Sequence, residues 1–185
     1  FHCGVFDLDG QELLISRTGW TGELGYEIYT QGEDTDCPRL WNALMEAGAP
    51  SGMIFGSMQS MNIRRIEAGI LDSGSDFDSS MTPSEAGLDK FVDLTNDGFI
   101  GREALLAPPR GRRLFGVLCR DLIPSGGCEL FDGDKLVGVV TTGAYSPYLK
   151  TALGYVRFSA PGDWPTRTLS LHSVSYTHLR AHETP

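Results

Sequence analysis

Residues 16–30, SRTGWTGELGYEIYT, decide how the rest of the chain is read. Gly19, Gly22 and Gly25 punctuate a bend that can take positive φ. Gln11 to Arg17 reads as a strand on one side and Gly25 to Tyr29 as its partner, with Tyr26, Ile28 and Thr30 alternating with Glu27 and Tyr29. A hairpin is therefore expected. A tight turn calls for Gly, Asn, Asp or Pro; it does not call for an indole and a carboxylate. Trp20 and Glu23 thus mark a candidate site, against the plainer alternative of a packed Trp and a solvated charge.

Working outward, composition removes several function classes. The 185 residues suit one large domain, or one plus a small one. Hydrophobic content of 41% and charged content of 21% are ordinary for a soluble globular chain. No run approaches the roughly 20 apolar residues of a membrane helix, no signal peptide is visible, and a cytoplasmic protein is expected. The chain starts with Phe1 rather than Met, so an upstream segment is expected. The net charge of −9 disfavours a sequence-independent nucleic-acid binder. The one basic patch, Arg110, Arg112 and Arg113, reads as a solvated strand entrance. Cys3, Cys37, Cys119 and Cys128 form no CxxC pair and no Cys/His cluster of zinc spacing. Buried free thiols are the expectation, with no metal site.

Two helices are predicted next. In DTDCPRLWNALMEAG, Asp36 caps, Pro38 fits the first turn, Leu40, Trp41, Leu44 and Met45 form a core-facing stripe, and Gly48 is the stop. In GSMQSMNIRRIEAG, Ser57 caps, Met58, Met61 and Ile66 face inward, and Gly69 ends the helix. Arg64, Arg65 and Glu67 lie in its last turns, where arginine is electrostatically favoured whether or not it has a function. Asp72, Asp76 and Asp78 resemble a calcium loop only superficially. Counted from Asp72, the sixth position is Phe77 and the twelfth Pro83, where an EF-hand needs Gly and Glu.

FIGREALL at 99–106 reads as a short helix stopped by Pro108 and Pro109. Beyond that double proline come short β-rich runs, with Asp132-Gly133-Asp134 as a hairpin signal. The texture predicts a small barrel or sandwich and a boundary near residue 109. The last stretch, 173–185, looks non-native, like a translated sequencing adapter, and is set aside from the fold. Its His178 and His182 are four apart, yet no third metal ligand accompanies them.

The candidate residues share a chemistry. An indole stacks on flat heterocycles. A carboxylate accepts from adjacent N–H groups such as the amino-pyrimidinone edge of a pterin. Arg65 can pair with a ligand carboxylate in bidentate fashion. Folate has that shape.

Four blocks carry a resemblance to the glycine-cleavage T-protein (aminomethyltransferase) family: SRTGWTGELGYEI, RRIEAGILDSGSDFDSSMTPSEAGL, FIGREAL and VGVVTTGAYSPYLKTALGYV, in that order over residues 16 to about 158. The resemblance implies an α+β fold: residues 1–109 as the C-terminal part of the folate-binding aminomethyltransferase domain, and 110–172 as a small, truncated antiparallel β-barrel. It implies tetrahydrofolate-dependent one-carbon transfer. Glu23 would hold the pterin edge, Trp20 would replace the family's aromatic near the folate, and Arg65 would meet the folate's glutamate carboxylate. Tyr145 and Ser146, from the barrel, would line the cleft. The implied partners are folate, a small one-carbon donor and a lipoyl carrier protein; neither nucleic acid nor membrane is expected.

Two departures matter. Ser73 stands where the family often has Tyr. The family's catalytic aspartate belongs to a segment before the hairpin, so the catalytic residue is not assigned and this chain alone is expected to be inactive or severely impaired. Two other functions stay open: a folate-dependent demethylase of a sulfonium, methylamine or methoxy compound, and a non-catalytic folate-binding protein.

Overall fold

The structure, a computed structural model, describes residues 2–30, 32, 34–107 and 110–172. These pack as two compact units that divide between Ile70 and Leu71. Pro108 and Pro109, where the texture of the sequence changes, lie outside the described residues, as do His178 and His182.

In the first unit, β1 (Cys3–Leu8), β2 (Gln11–Ser16) and β3 (Glu27–Thr30) form an antiparallel sheet in that order. The predicted hairpin is present, with Leu13 opposite Thr30, Ile15 opposite Ile28 and Ser16 opposite Glu27. Its second strand begins two residues later than expected, leaving Gly25 and Tyr26 in the loop. β1 lies outside the strands expected from the sequence. Its signal is Asp9-Gly10 between apolar runs: both residues take positive φ, 54° and 73°, as a two-residue hairpin turn requires.

Helix α1 (Cys37–Gly48) starts as predicted, with the Asp36 carboxylate accepting from the Arg39 N–H at 3.0 Å. Arg39 ties it to the hairpin by donating to the Asp9 carboxylate at 2.5 Å and the Asp9 carbonyl at 2.7 Å. Its end departs from expectation. Gly48 stays right-handed, a 3-10 turn follows over Ala49–Ser51, and the left-handed terminator is Gly52. The stripe is corrected too: only Leu40 is buried, while Trp41 is half exposed and meets Phe55 edge-on at 5.8 Å. Helix α2 (Met58–Glu67) is capped by Ser57 as expected. Met58 and Met61 are exposed, not inward; the buried residues are Arg65 and Ile66.

In the second unit a largely irregular stretch, with a 3-10 turn at Asp89–Phe91 and the short helix α3 (Arg102–Leu105), leads into five strands. These are β4 (Leu114–Cys119), β5 (Glu129–Asp132), β6 (Lys135–Ser146), β7 (Thr151–Phe158) and β8 (Ser170–His172). All neighbours pair antiparallel in the order β4-β7-β6-β5-β8, an open sheet among the described residues. The predicted turn at 132–134 joins β5 to β6. Cys128, Leu130, Val137, Val140, Val156 and Phe158 make a continuous core, with Trp164 stacked on Phe158 at 4.4 Å.

The acidic loop is stitched onto this sheet. Asp76 is fully buried and accepts from the Thr141 hydroxyl at 2.7 Å and the Asp72 N–H at 2.8 Å. Thr141 sits at a register shift of β6. The Glu85 carboxylate accepts from the Thr82 N–H, the Thr82 hydroxyl and Arg113, while its carbonyl receives the Arg113 and Leu114 N–H groups. Arg157 donates to Asp78 at 2.8 Å. Two of the three basic-patch residues are therefore not simply solvated: Arg113 also reaches the Phe158 carbonyl at 2.9 Å, and the Arg112 guanidinium lies 4.8 Å from the centre of the Phe115 ring. The cysteine expectation is corrected as well: Cys128 is buried and Cys119 partly so, but Cys3 and Cys37 are exposed. Burial raises the Cys119 thiol above its ordinary value.

Candidate functional site

The loop between β2 and β3 docks on the C-terminal half of α2 through three contacts. The Arg65 guanidinium lies over the Trp20 ring, 5.4 Å from its centroid. Gly22, at φ 75°, comes so close that a Cβ there would meet the Ala68 Cβ at 2.5 Å. Arg64 donates to the Glu23 carboxylate at 2.6 Å. Successive helical residues point about 100° apart, which is why adjacent arginines do different work. Arg65 turns inward and is 1% exposed; it donates to the Asn62 side chain at 2.9 Å and the Ile70 carbonyl at 3.2 Å. Arg64 turns outward.

The stem of the loop is fixed by Glu27. Its carboxylate accepts from the Thr18 hydroxyl and, at 3.0 Å, from the Tyr29 hydroxyl. That bond to a carboxylate raises the Tyr29 phenol above its ordinary value. Between stem and tip lies an open cavity of about 450 Å³, lined by Arg17, Thr18, Glu23 and Leu24 among others. Its size falls within the range of small-molecule sites.

Trp20, Glu23 and Arg65 are thus brought together in the first unit. Tyr145 and Ser146 belong to the second, and strand alternation separates them. Tyr145 is half exposed and lines a cavity of about 370 Å³ with Arg120 and Lys150. Ser146 is fully buried, its hydroxyl accepting the Leu149 N–H at 2.9 Å to close the turn. Ser73 is exposed. Sequence reasoning left Arg64 without a role. Its signal was the spacing to Glu67, which puts the two side chains on one helix face.

Among the described residues no cluster of His, Cys, Asp and Glu could hold a metal ion, and no helix is long and apolar enough to cross a membrane.

Comparison with known proteins gives the chain's family and fold. The chain is similar to the aminomethyltransferase of Alkaliphilus oremlandii, at 38% identity over 157 residues, covering 83% of this chain and 42% of that protein. It is 40% identical over 164 residues to the aminomethyltransferase of Halothermothrix orenii, covering 84% of this chain and 45% of that one. The chain therefore spans less than half the length of these curated relatives. In fold it matches the crystal structure of glycine cleavage system aminomethyltransferase T from Bartonella henselae, with a TM-score of 0.69 at 24% identity over 88% of this chain and 49% of that one. The family model described as the GCVT N-terminal domain matches residues 1–96, and that of the glycine cleavage T-protein C-terminal barrel domain matches residues 112–171. The chain belongs to the glycine cleavage T-protein family.

Proposed function

We propose that this chain is part of an aminomethyltransferase that transfers a one-carbon unit to tetrahydrofolate, and that the loop carrying Trp20 and Glu23 holds the pterin. The observation that carries the reading is Glu23. Arg64 engages Oε1, while among the described residues Oε2 accepts no hydrogen bond, and the side chain lines the cavity. A carboxylate with open acceptor capacity, three residues from an indole in the same loop, fits a flat ligand with N–H donors along one edge, although Trp20 itself is not among the residues lining that cavity. Tetrahydrofolate, when bound, supplies the nucleophilic nitrogen that takes up the one-carbon unit.

The chain's own residues bind and orient. Glu23 receives the donor edge, and Trp20 offers its indole to the ring system. Arg65, committed to Asn62, Ile70 and Trp20, fixes the indole; direct pairing with a carboxylate on the ligand requires that this packing open. Tyr145 is proposed as a ligand-facing residue of the second unit, and Ser146, fully buried, as acting only through the turn it closes. A lipoyl carrier protein is the proposed bearer of the one-carbon donor.

The test is anaerobic calorimetric titration of tetrahydrofolate. The wild-type chain should bind, and Glu23→Gln should weaken binding about tenfold or more, as loss of a charge-assisted hydrogen bond does. A folded wild-type chain that gives no binding overturns the reading. A screen of aminomethyl, sulfonium and methoxy donors on a protein extended upstream then separates the aminomethyltransferase from a demethylase.

A further inference from the structure

We propose that Arg64 is a positioning residue for Glu23: anchored by Glu67, it holds the hairpin's acid in the orientation that receives a ligand's N–H edge. The inference rests on the reading above and adds a residue to it.

Glu23 needs such a holder. Its side chain is 68% exposed, and among the described residues its carboxylate is bonded by Arg64 alone. Ordering a free, long side chain at the moment of binding weakens affinity. Arg64 removes that cost in advance. Its Nη2 donates to Glu23 Oε1 at 2.6 Å and its Nη1 to Glu67 Oε2 at 2.8 Å.

The two ends differ. The Glu67 side chain is only 8% exposed and is fixed on α2, whereas Glu23 is free on its other side. The planar fork of arginine spans the pair, carrying rigidity from a buried acid to an exposed one; a lysine ammonium, a point charge on a flexible stem, lacks that geometry. A carboxylate offers about four acceptor sites. One contact from Arg64 orients Glu23 without saturating it.

The division of labour between neighbours strengthens the case. Arg65 is buried beneath Trp20 and holds the ring, while Arg64, one position earlier, holds the acid. The two recognition elements of the loop are each set by one residue of a single helical turn.

The experiment is the tetrahydrofolate titration repeated on Arg64→Leu, Arg64→Lys, Glu67→Gln, Glu23→Gln and the double variant Arg64→Leu/Glu23→Gln. Arg64→Leu should weaken binding about three- to fivefold, the scale of an exposed ion pair. Arg64→Lys should restore little of it, and Glu67→Gln should cost less than Arg64→Leu. In the Glu23→Gln background Arg64→Leu should have no further effect, because its action runs through that acid. Equal affinity of Arg64→Leu and wild type, tighter binding, or the same loss in both backgrounds overturns the inference. Absence of binding by the wild type sinks the functional reading instead. The positioning claim is then decided without ligand: Arg64→Leu should lower the heteronuclear NOE of the 22–25 amides, and an unchanged loop order overturns it.

Discussion

Two irregular segments of this chain are fastened to regular structure by acidic side chains, and they are fastened differently. The 71–88 segment is held to the sheet of the second unit by Asp76 and Glu85, both at most 2% exposed. Between them they take hydrogen bonds from Thr141, Asp72, Thr82 and Arg113. The 17–26 loop of the first unit is held to α2 by the close approach of Gly22 and by an acid left mostly in solvent, Glu23, with one arginine on one of its oxygens. The residue types are the same. The difference is saturation: a buried carboxylate must fill its acceptor sites with protein donors, whereas an exposed one keeps sites open for a ligand.

That contrast breaks first at Asp76. Asp76→Ala removes the acceptor of the Asp72 N–H and leaves the Thr141 hydroxyl only its longer bond to the Tyr155 carbonyl at 3.3 Å, and we expect a loss of about 2–4 kcal/mol in urea unfolding. A loss below 1 kcal/mol would mean that the acid is not the stitch it appears in the hydrogen-bond pattern.

Glu85 offers a pH test of the same idea. The Thr82 N–H first, and the Thr82 hydroxyl and Arg113 after it, hold this carboxyl below the usual 4.5, against the opposing effect of burial. A carboxyl depressed in the folded state stabilises fully above its unfolded value and loses that contribution as pH falls through the folded one. The second unit should therefore weaken in acid below about pH 4.5. Glu85→Gln should cost about 2 kcal/mol at pH 7 and flatten the acid limb. An acid limb identical in variant and wild type would assign the pH dependence to other groups.

The sequence made some of this legible and hid the rest for definable reasons. Local chemistry was readable: the hairpin at 16–30, the caps Asp36 and Ser57, and the turn at 132–134 all rest on neighbours in the chain. Partners distant in sequence were not. Asp76 meets Thr141 across 65 residues, and Glu23 meets Arg64 across 41; no local period encodes either. The apolar stripe of α1 misled because helical spacing says which residues share a face, not whether anything covers it, and Trp41 stays half exposed. β1 rests on Asp9-Gly10, a turn signal that counts only once the run before it is read as a strand. At the site, Trp20 and Glu23 stood out because a turn has no use for them, whereas Arg64 looked like any basic residue near a helix C-terminus.

Gly22 tests the other half of the contrast, since backbone proximity holds the loop where buried acids hold the 71–88 segment. Gly22→Ala places a methyl against Ala68, which has no flexible end to yield, and forces a side chain into positive φ. We expect about 1–2 kcal/mol of destabilisation together with weaker tetrahydrofolate binding, because Trp20 and Glu23 move with the loop. Normal binding at reduced stability would show that the loop can dock without this contact.

The smallest expected effect on stability falls on the residue given the largest role in binding. Glu23→Gln removes an exposed charge, frees Arg64 to keep its bond to Glu67, and leaves no buried group without a partner. Thermal or urea unfolding should move by no more than about 0.5 kcal/mol, while tetrahydrofolate affinity falls about tenfold or more. Had Glu23 been a structural acid like Asp76, both quantities would fall together. A Glu23→Gln variant destabilised as strongly as Asp76→Ala would erase the distinction between the two segments, since the loop's acid would then be holding the fold and not waiting for a ligand.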